Sequence, residues 1–157
     1  MQRALEEKNV KRYLATGCND CGSCVAFMVH GVNHISSGSR KLMTYATIGL
    51  NESWGWTAGL NAFVAPVPGI YQFDVSFMGG ASGGSSGEVF VLITKNGTSI
   101  ARARNGAATG QRNAASVSVN VRLKAGDTIK TMADSVAGTT RNVVEYNFEG
   151  HLICGCC

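Results

Sequence analysis

Pro66-Val67-Pro68-Gly69-Ile70-Tyr71-Gln72-Phe73-Asp74-Val75-Ser76-Phe77 decides how this chain folds. Tyr71, Phe73, Val75 and Phe77 alternate with Gln72, Asp74 and Ser76, the period of two that sends successive side chains to opposite faces of a strand. Two prolines and a glycine immediately before it supply the turn chemistry that starts such a strand. One face of the strand is aromatic and must be covered by something.

Working outward, the same alternation returns at Val117, Val119, Val121 and Leu123, with Ser118, Asn120 and Arg122 between them. Phe63, Tyr71, Phe73, Val119 and Val121 are therefore the expected core. Glu88 to Thr94 (EVFVLIT) is apolar on both faces, which predicts a central strand covered on each side, as a sandwich would cover it. Asn96-Gly97 between EVFVLITK and TSIARAR is a strong hairpin signal, because a type I′ turn needs positive φ at both central residues. Asn105-Gly106 and Ala125-Gly126-Asp127 are read as further turns, and the Gly79 to Gly87 tract as a loop. No stretch between Cys24 and Cys154 has the pattern of a long helix. The fold class is all-β, an antiparallel sandwich or jelly roll.

A chain of 157 residues is one domain plus a short appendage. With 45% hydrophobic and 15% charged residues, and 20 glycines against 2 prolines, it is neither disordered, collagenous nor a coiled coil. No apolar run approaches the roughly 18 residues that span a bilayer, so no membrane partner is expected. The first fifteen residues carry charge where a secretory leader would be apolar, so the chain is read as leaderless and soluble. Net charge is +4, but the 14 Lys and Arg residues are scattered, and nucleic acid, which needs a basic stripe, is not an expected partner.

Residues 1–24 are read as an arm ending in a cysteine run, and residues 25–157 as the domain. Leu5, Val10 and Leu14 give the arm loose helical spacing, but a helix this short needs a partner to be ordered. Cys18, Cys21 and Cys24 close the arm, Cys154, Cys156 and Cys157 close the chain, and the body between contains no cysteine. Two triplets bracketing a cysteine-free body suggest that the ends of the domain meet. Three states remain open: disulfides first, since adjacent Cys156 and Cys157 suit a disulfide framework better than one tetrahedral ion; a zinc or iron–sulfur site second; free thiols third. No cofactor is otherwise expected.

Several motifs have bland readings. Gly80-Ala81-Ser82-Gly83-Gly84 matches the nucleophile elbow of hydrolases, yet it lies in a Gly/Ser tract with no helix after it. No two carboxylates are spaced for shared acid–base work. His30, His34 and His151 are read as surface or interface histidines, and the sequons at Asn51 and Asn96 as turn residues.

From Tyr45 the chain runs aromatic, five residues, Asn51, four residues, Trp56, six residues, Phe63, five residues, then Gly69-x-Tyr71-x-Phe73-x-Val75. This resembles the signature of the globular head of complement component 1q and its relatives in the tumour-necrosis-factor superfamily. LITKNGTSIARA, VSVNVRLKAGDTIK and NFEGHLI are similar to the hairpin, strand-and-turn and closing strand that follow in that family, so the likeness covers roughly Val25 to Ile153. Departures are Tyr45 for the usual phenylalanine, Val75 for the usual aromatic, and no Gly-X-Y stalk. The resemblance implies a ten-stranded jelly roll assembled as a homotrimer, with the chain ends together at one pole and Trp54 and Trp56 near the packed base. Function then divides between a non-enzymatic structural or adhesive protein on a virus particle, such as a phage decoration protein or fibre knob, and a soluble ligand-binding module. In the first, the arm residues Arg3, Leu5, Lys11 and Arg12 attach to a capsid or tail protein, the site is the virion surface, and a host-surface ligand is possible. In the second, the protein is extracellular or at the cell surface.

Overall fold

The computed structural model describes residues 24–32, 40–80, 87–107, 111–135 and 142–155. Their strands, in chain order, are β1 (Ala26–Gly31), β2 (Lys41–Leu42), β3 (Thr47–Glu52), β4 (Trp56–Thr57), β5 (Ala62–Val64), β6 (Gly69–Gly80), β7 (Gly87–Lys95), β8 (Thr98–Ala107), β9 (Asn113–Leu123), β10 (Thr128–Ser135) and β11 (Asn142–Gly155). All described pairings are antiparallel, in a five-stranded sheet β3-β1-β11-β6-β9 and a six-stranded sheet β4-β5-β10-β7-β8 in which β2 also pairs with β10. The resemblance implied ten strands. Among the described residues there are eleven, two of them only two residues long.

β6, the strand carrying the deciding stretch, lies between β11 and β9. Its Tyr71, Phe73, Val75 and Phe77 point into the sandwich and are buried. Phe27 sits at the middle of the core, with ring centroids 5.3 Å from Trp56, 5.1 Å from Phe63 and 5.0 Å from Phe148. Packing this dense leaves no room over Gly150, where an added Cβ would strike the rings of Phe73 and Phe27. Val119 and Val121 face the same core but are only half-buried, because β9 is the edge of its sheet and has a neighbour on one side alone.

β7 is an inner strand between β10 and β8, and Val89, Val91 and Ile93 fill its core face. Among the described residues no third layer covers its second apolar face. Leu92 is buried there by neighbours in its own sheet, lying opposite Met132 and Arg102, while the guanidinium carbons of Arg102 and Arg104 stand 5.0 and 5.9 Å from the ring centroid of Phe90. The β7–β8 hairpin turns at Asn96 and Gly97, whose φ values of 48° and 85° are those a type I′ turn requires. Asn105-Gly106 is not a turn. The β7 pairing continues through it to Ala107, Asn105 is buried opposite Val89, and its side-chain amide donates to the carbonyl of Asn113, which ties β8 to β9.

Candidate functional site

Three regions of the surface could carry function: the pole where β1 begins beside the end of β11, the outer face of the five-stranded sheet, and the outer face of the six-stranded sheet.

At the first pole the amide of Leu152 donates to the carbonyl of Val25 at 2.9 Å, and Ala26 lies opposite His151. This register brings Cys24 and Cys154, both exposed, to the same end of the sheet. Cys18, Cys21, Cys156 and Cys157 lie outside the described residues, as do Arg3, Leu5, Lys11 and Arg12 and the arm's expected helix. Among the described residues no group of three His, Cys, Asp or Glu side chains could hold a metal ion.

The β3–β4 turn belongs to this pole. Asn51 closes it with two hydrogen bonds to one residue, and Ser53 Oγ donates to the Cys24 carbonyl at 2.7 Å. Trp56 is 3% exposed, as the base of the sandwich demands. Trp54 is 86% exposed, against the expectation that it packs there, because the turn's left-handed φ values at Ser53 (59°) and Trp54 (55°) throw its side chain outward. Across the pole, Asn96 Nδ2 and the Lys124 amide both donate to Asp127, and Lys95 Nζ stands 3.2 Å from it. The Asn96 hydrogen bond first, then the Lys124 amide and Lys95, push the Asp127 carboxyl down to about 2.

Opposite this pole lie the strand ends that flank residues 33–39, 81–86, 108–110 and 136–141, as the pairings Gly31↔Tyr146, Gly80↔Asn142 and Gly87↔Ala107 place them. Ser82 and His34 fall outside the described residues.

On the outer face of the five-stranded sheet, Glu149 lies directly opposite Asp74, and Asp74 accepts a hydrogen bond from Ser118. These carboxylates are far apart in sequence, so no spacing rule could have paired them; only the β6–β11 register does. They line a groove of about 300 Å³ with Met28, Ser76, Ser116 and Asn147. Nearby, His30 Nδ1 donates to Asn147 Oδ1 at 2.6 Å. Among the described residues of this face, these bonds join no nucleophile to a histidine base. Met28 (44% exposed) lines the groove, and the exposed Leu50 (39%) lies opposite it on β3.

The outer face of the six-stranded sheet gathers cations that are scattered in sequence. Arg102 and Arg104 flank Phe90, Arg104 also pairs with Glu88, and Arg40 stands 3.7 Å from Asp134. These side chains are far apart in the linear order and share a face only because β10 pairs with both β2 and β7, and β7 with β8.

The signature positions are placed as follows. Tyr45, Trp56, Phe63, Tyr71, Phe73 and Val75 are buried together, Asn51 clamps the turn, and Gly69 opens β6. Tyr45 donates to or accepts from Thr131 Oγ1 at 2.7 Å, and burial raises its phenol pKa, as it does those of Tyr71 and Tyr146.

A two-sheet antiparallel sandwich whose first and last strands pair is the architecture of the tumour-necrosis-factor and complement 1q class. The family model for the C1q domain matches residues 26–153, and the chain belongs to that family. Among solved structures it is similar to the globular domain of zebrafish complement 1qA (15% identity, TM-score 0.69, covering 85% of this chain and 99% of that one). It is also similar to murine APRIL (13%, TM-score 0.64, covering 83% and 99%) and to Eiger TNF from S. frugiperda (11%, TM-score 0.61, covering 86% and 96%). No curated protein sequence matches the chain. Domains of this family are typically non-enzymatic ligand-binding modules, typically form homotrimers, and are typically extracellular or surface-exposed. No helix among the described residues is long and apolar enough to cross a membrane.

Proposed function

We propose that this protein is a non-enzymatic homotrimeric recognition head, tethered at the pole of its chain ends and presenting the opposite pole to a ligand. One observation carries this reading: Cys24 and Cys154 lie together at one end of the sandwich, while the strand ends bordering residues 33–39, 81–86, 108–110 and 136–141 lie at the other. Whatever the arm attaches to therefore approaches one pole and leaves the far loops free to make contacts. The apolar pair Met28 and Leu50 at the carboxylate groove is the surface that subunit contact would cover.

The carrier in this reading is a virus particle, with Arg3, Leu5, Lys11 and Arg12 meeting a capsid or tail protein. The scattered charge of the arm supports a polar protein contact. The cysteine triplets in this reading staple the tethered pole by disulfides. The alternative is a soluble head that binds a ligand as a free module, which the likeness to the complement 1qA globular domain supports. Deleting residues 1–15 and following the protein through particle purification tests the choice. Loss of cosedimentation with virions by a folded truncated protein supports the particle reading, and a full-length protein that never cosediments with any particle supports the soluble one.

A further inference from the structure

The two sheets carry opposite charge. In the strands of the five-stranded sheet the acidic residues are Glu52, Asp74, Glu145 and Glu149, and Arg122 is the one Lys or Arg. In the strands of the six-stranded sheet, with β2, Lys41, Lys95, Lys130, Arg102 and Arg104 stand against Glu88 and Asp134. A chain acidic on one sheet and basic on the other offers each surface its electrostatic complement on a second copy of itself.

The acidic side has a defined centre. Glu149 lies directly opposite Asp74, an arrangement that like charges disfavour. Asp74 accepts hydrogen bonds from Ser118 and from Gln72 Nε2, the latter at 3.1 Å, but among the described residues neither carboxylate has a cation. Both line the groove of about 300 Å³, where Met28 adds an apolar wall. The side chain that suits such a groove is an arginine, with a forked guanidinium for two carboxylates and a methylene stem for the methionine.

The basic side has a matching group. Arg104 pairs with Glu88 and Lys95 with Asp127, whereas Arg102 has no carboxylate partner among the described residues. It is exposed on β8, its guanidinium carbon 5.0 Å from the Phe90 ring centroid. Strand β8 ends its sheet as β9 ends the other, and the Asn105 side chain bonded to the Asn113 carbonyl holds the two at one margin of the sandwich. A margin meeting a face turns each successive copy, so a head-to-tail contact of this kind can close into a ring.

We propose that Arg102 of one copy enters the Asp74–Glu149 groove of the next, so that each carboxylate pair is completed by the neighbouring chain. The proposal rests on the homotrimer reading and names the contact that holds it.

Sedimentation velocity of the full-length protein over a dilution series tests it, with circular dichroism as the check on folding. Arg102→Glu and Glu149→Arg should each raise the dissociation constant about tenfold or more, and the double variant, which exchanges the two charges, should recover most of that loss. Arg102→Gln and Glu149→Gln, which remove charge without reversing it, should each loosen the assembly severalfold and decide the matter if a reversal disturbs the fold. An assembled wild type whose single variants assemble equally well, or whose losses the double variant does not recover, overturns this contact and leaves the trimer standing. A wild type that is a single chain at every concentration overturns the trimer and this contact with it.

Discussion

The side chain of Asn51 grips the backbone of Trp56 at both ends: Nδ2 donates to the Trp56 carbonyl at 3.1 Å, and the Trp56 amide donates to Oδ1 at 3.0 Å. One residue thus fixes the turn that sends Trp56 into the core and Trp54 into water. Asn51→Ala leaves both backbone groups without partners at the margin of a packed core, and the expected cost is about 2 to 4 kcal/mol by the price of unsatisfied buried groups. Chemical denaturation at unchanged m-value measures it. A loss below about 0.5 kcal/mol, within the scatter of ordinary surface substitutions, would mean the turn holds without the clamp.

Phe73→Ala should destabilise the domain by about 3 to 5 kcal/mol, the range for a buried phenylalanine. Gly150→Ala approaches the same site from the other side, driving a methyl group into Phe73 and Phe27, and should cost about 1 to 3 kcal/mol by overpacking. Val119→Ala, on the half-buried edge strand, should cost clearly less than Phe73→Ala. Equal losses at Phe73 and Val119 would contradict the placement of β9 at the edge.

Asp127 should confer a pH dependence confined to acid. Its carboxyl titrates near 2 in the folded chain against 3.8 for a free side chain, so its stabilising contribution is complete above 3.8 and disappears as pH falls through about 2. Thermal melts between those limits should show wild type losing stability faster than Asp127→Asn on acidification. Parallel curves would mean that the Asn96 and Lys124 bonds do not favour the ionised form.

For the cysteines, mass spectrometry of the denatured, unreduced protein should show one pair of hydrogens missing per bridge. A bridge between the two triplets closes nearly the whole domain, so its reduction should lower stability by on the order of 4 to 5 kcal/mol in the chain-entropy estimate. Complete alkylation without reductant or chelator would exclude both bridge and metal, and stoichiometric zinc or iron would replace the bridge with a metal site.

How much of this was legible in the linear sequence depended on how local each cause is. β6 could be read because a period of two and a preceding turn are local facts, and the Asn96-Gly97 hairpin for the same reason. Asn105-Gly106 carries the same turn signal but is overridden, since pairing with β7 and the bond to Asn113 keep β8 extended through it. Trp54 was misplaced because an aromatic near a signature position reads as core, and the sign of φ that turns it outward is not encoded in its residue type. Asp74 with Glu149, and Arg102 and Arg104 around Phe90, are products of register and hairpin pairing. Hydrophobic pattern fixes which face of a strand is inward, but which polar residues become neighbours on the outward face depends on strand order.

Leu50→Arg places a charge opposite Met28 on the outer face and should shift the assembly toward single chains while leaving the fold intact. Sedimentation velocity together with circular dichroism reads both outcomes at once. A variant that stays fully assembled would move the subunit contact to another face.

Multi-angle light scattering of the full-length protein over a micromolar dilution series tests the tethered trimeric head most directly. The expected mass is three times the 16.5 kDa of the chain and is held across the series. A mass of 16.5 kDa at every concentration would contradict the trimer and leave Met28, Leu50 and the carboxylate groove of the five-stranded sheet open to solvent.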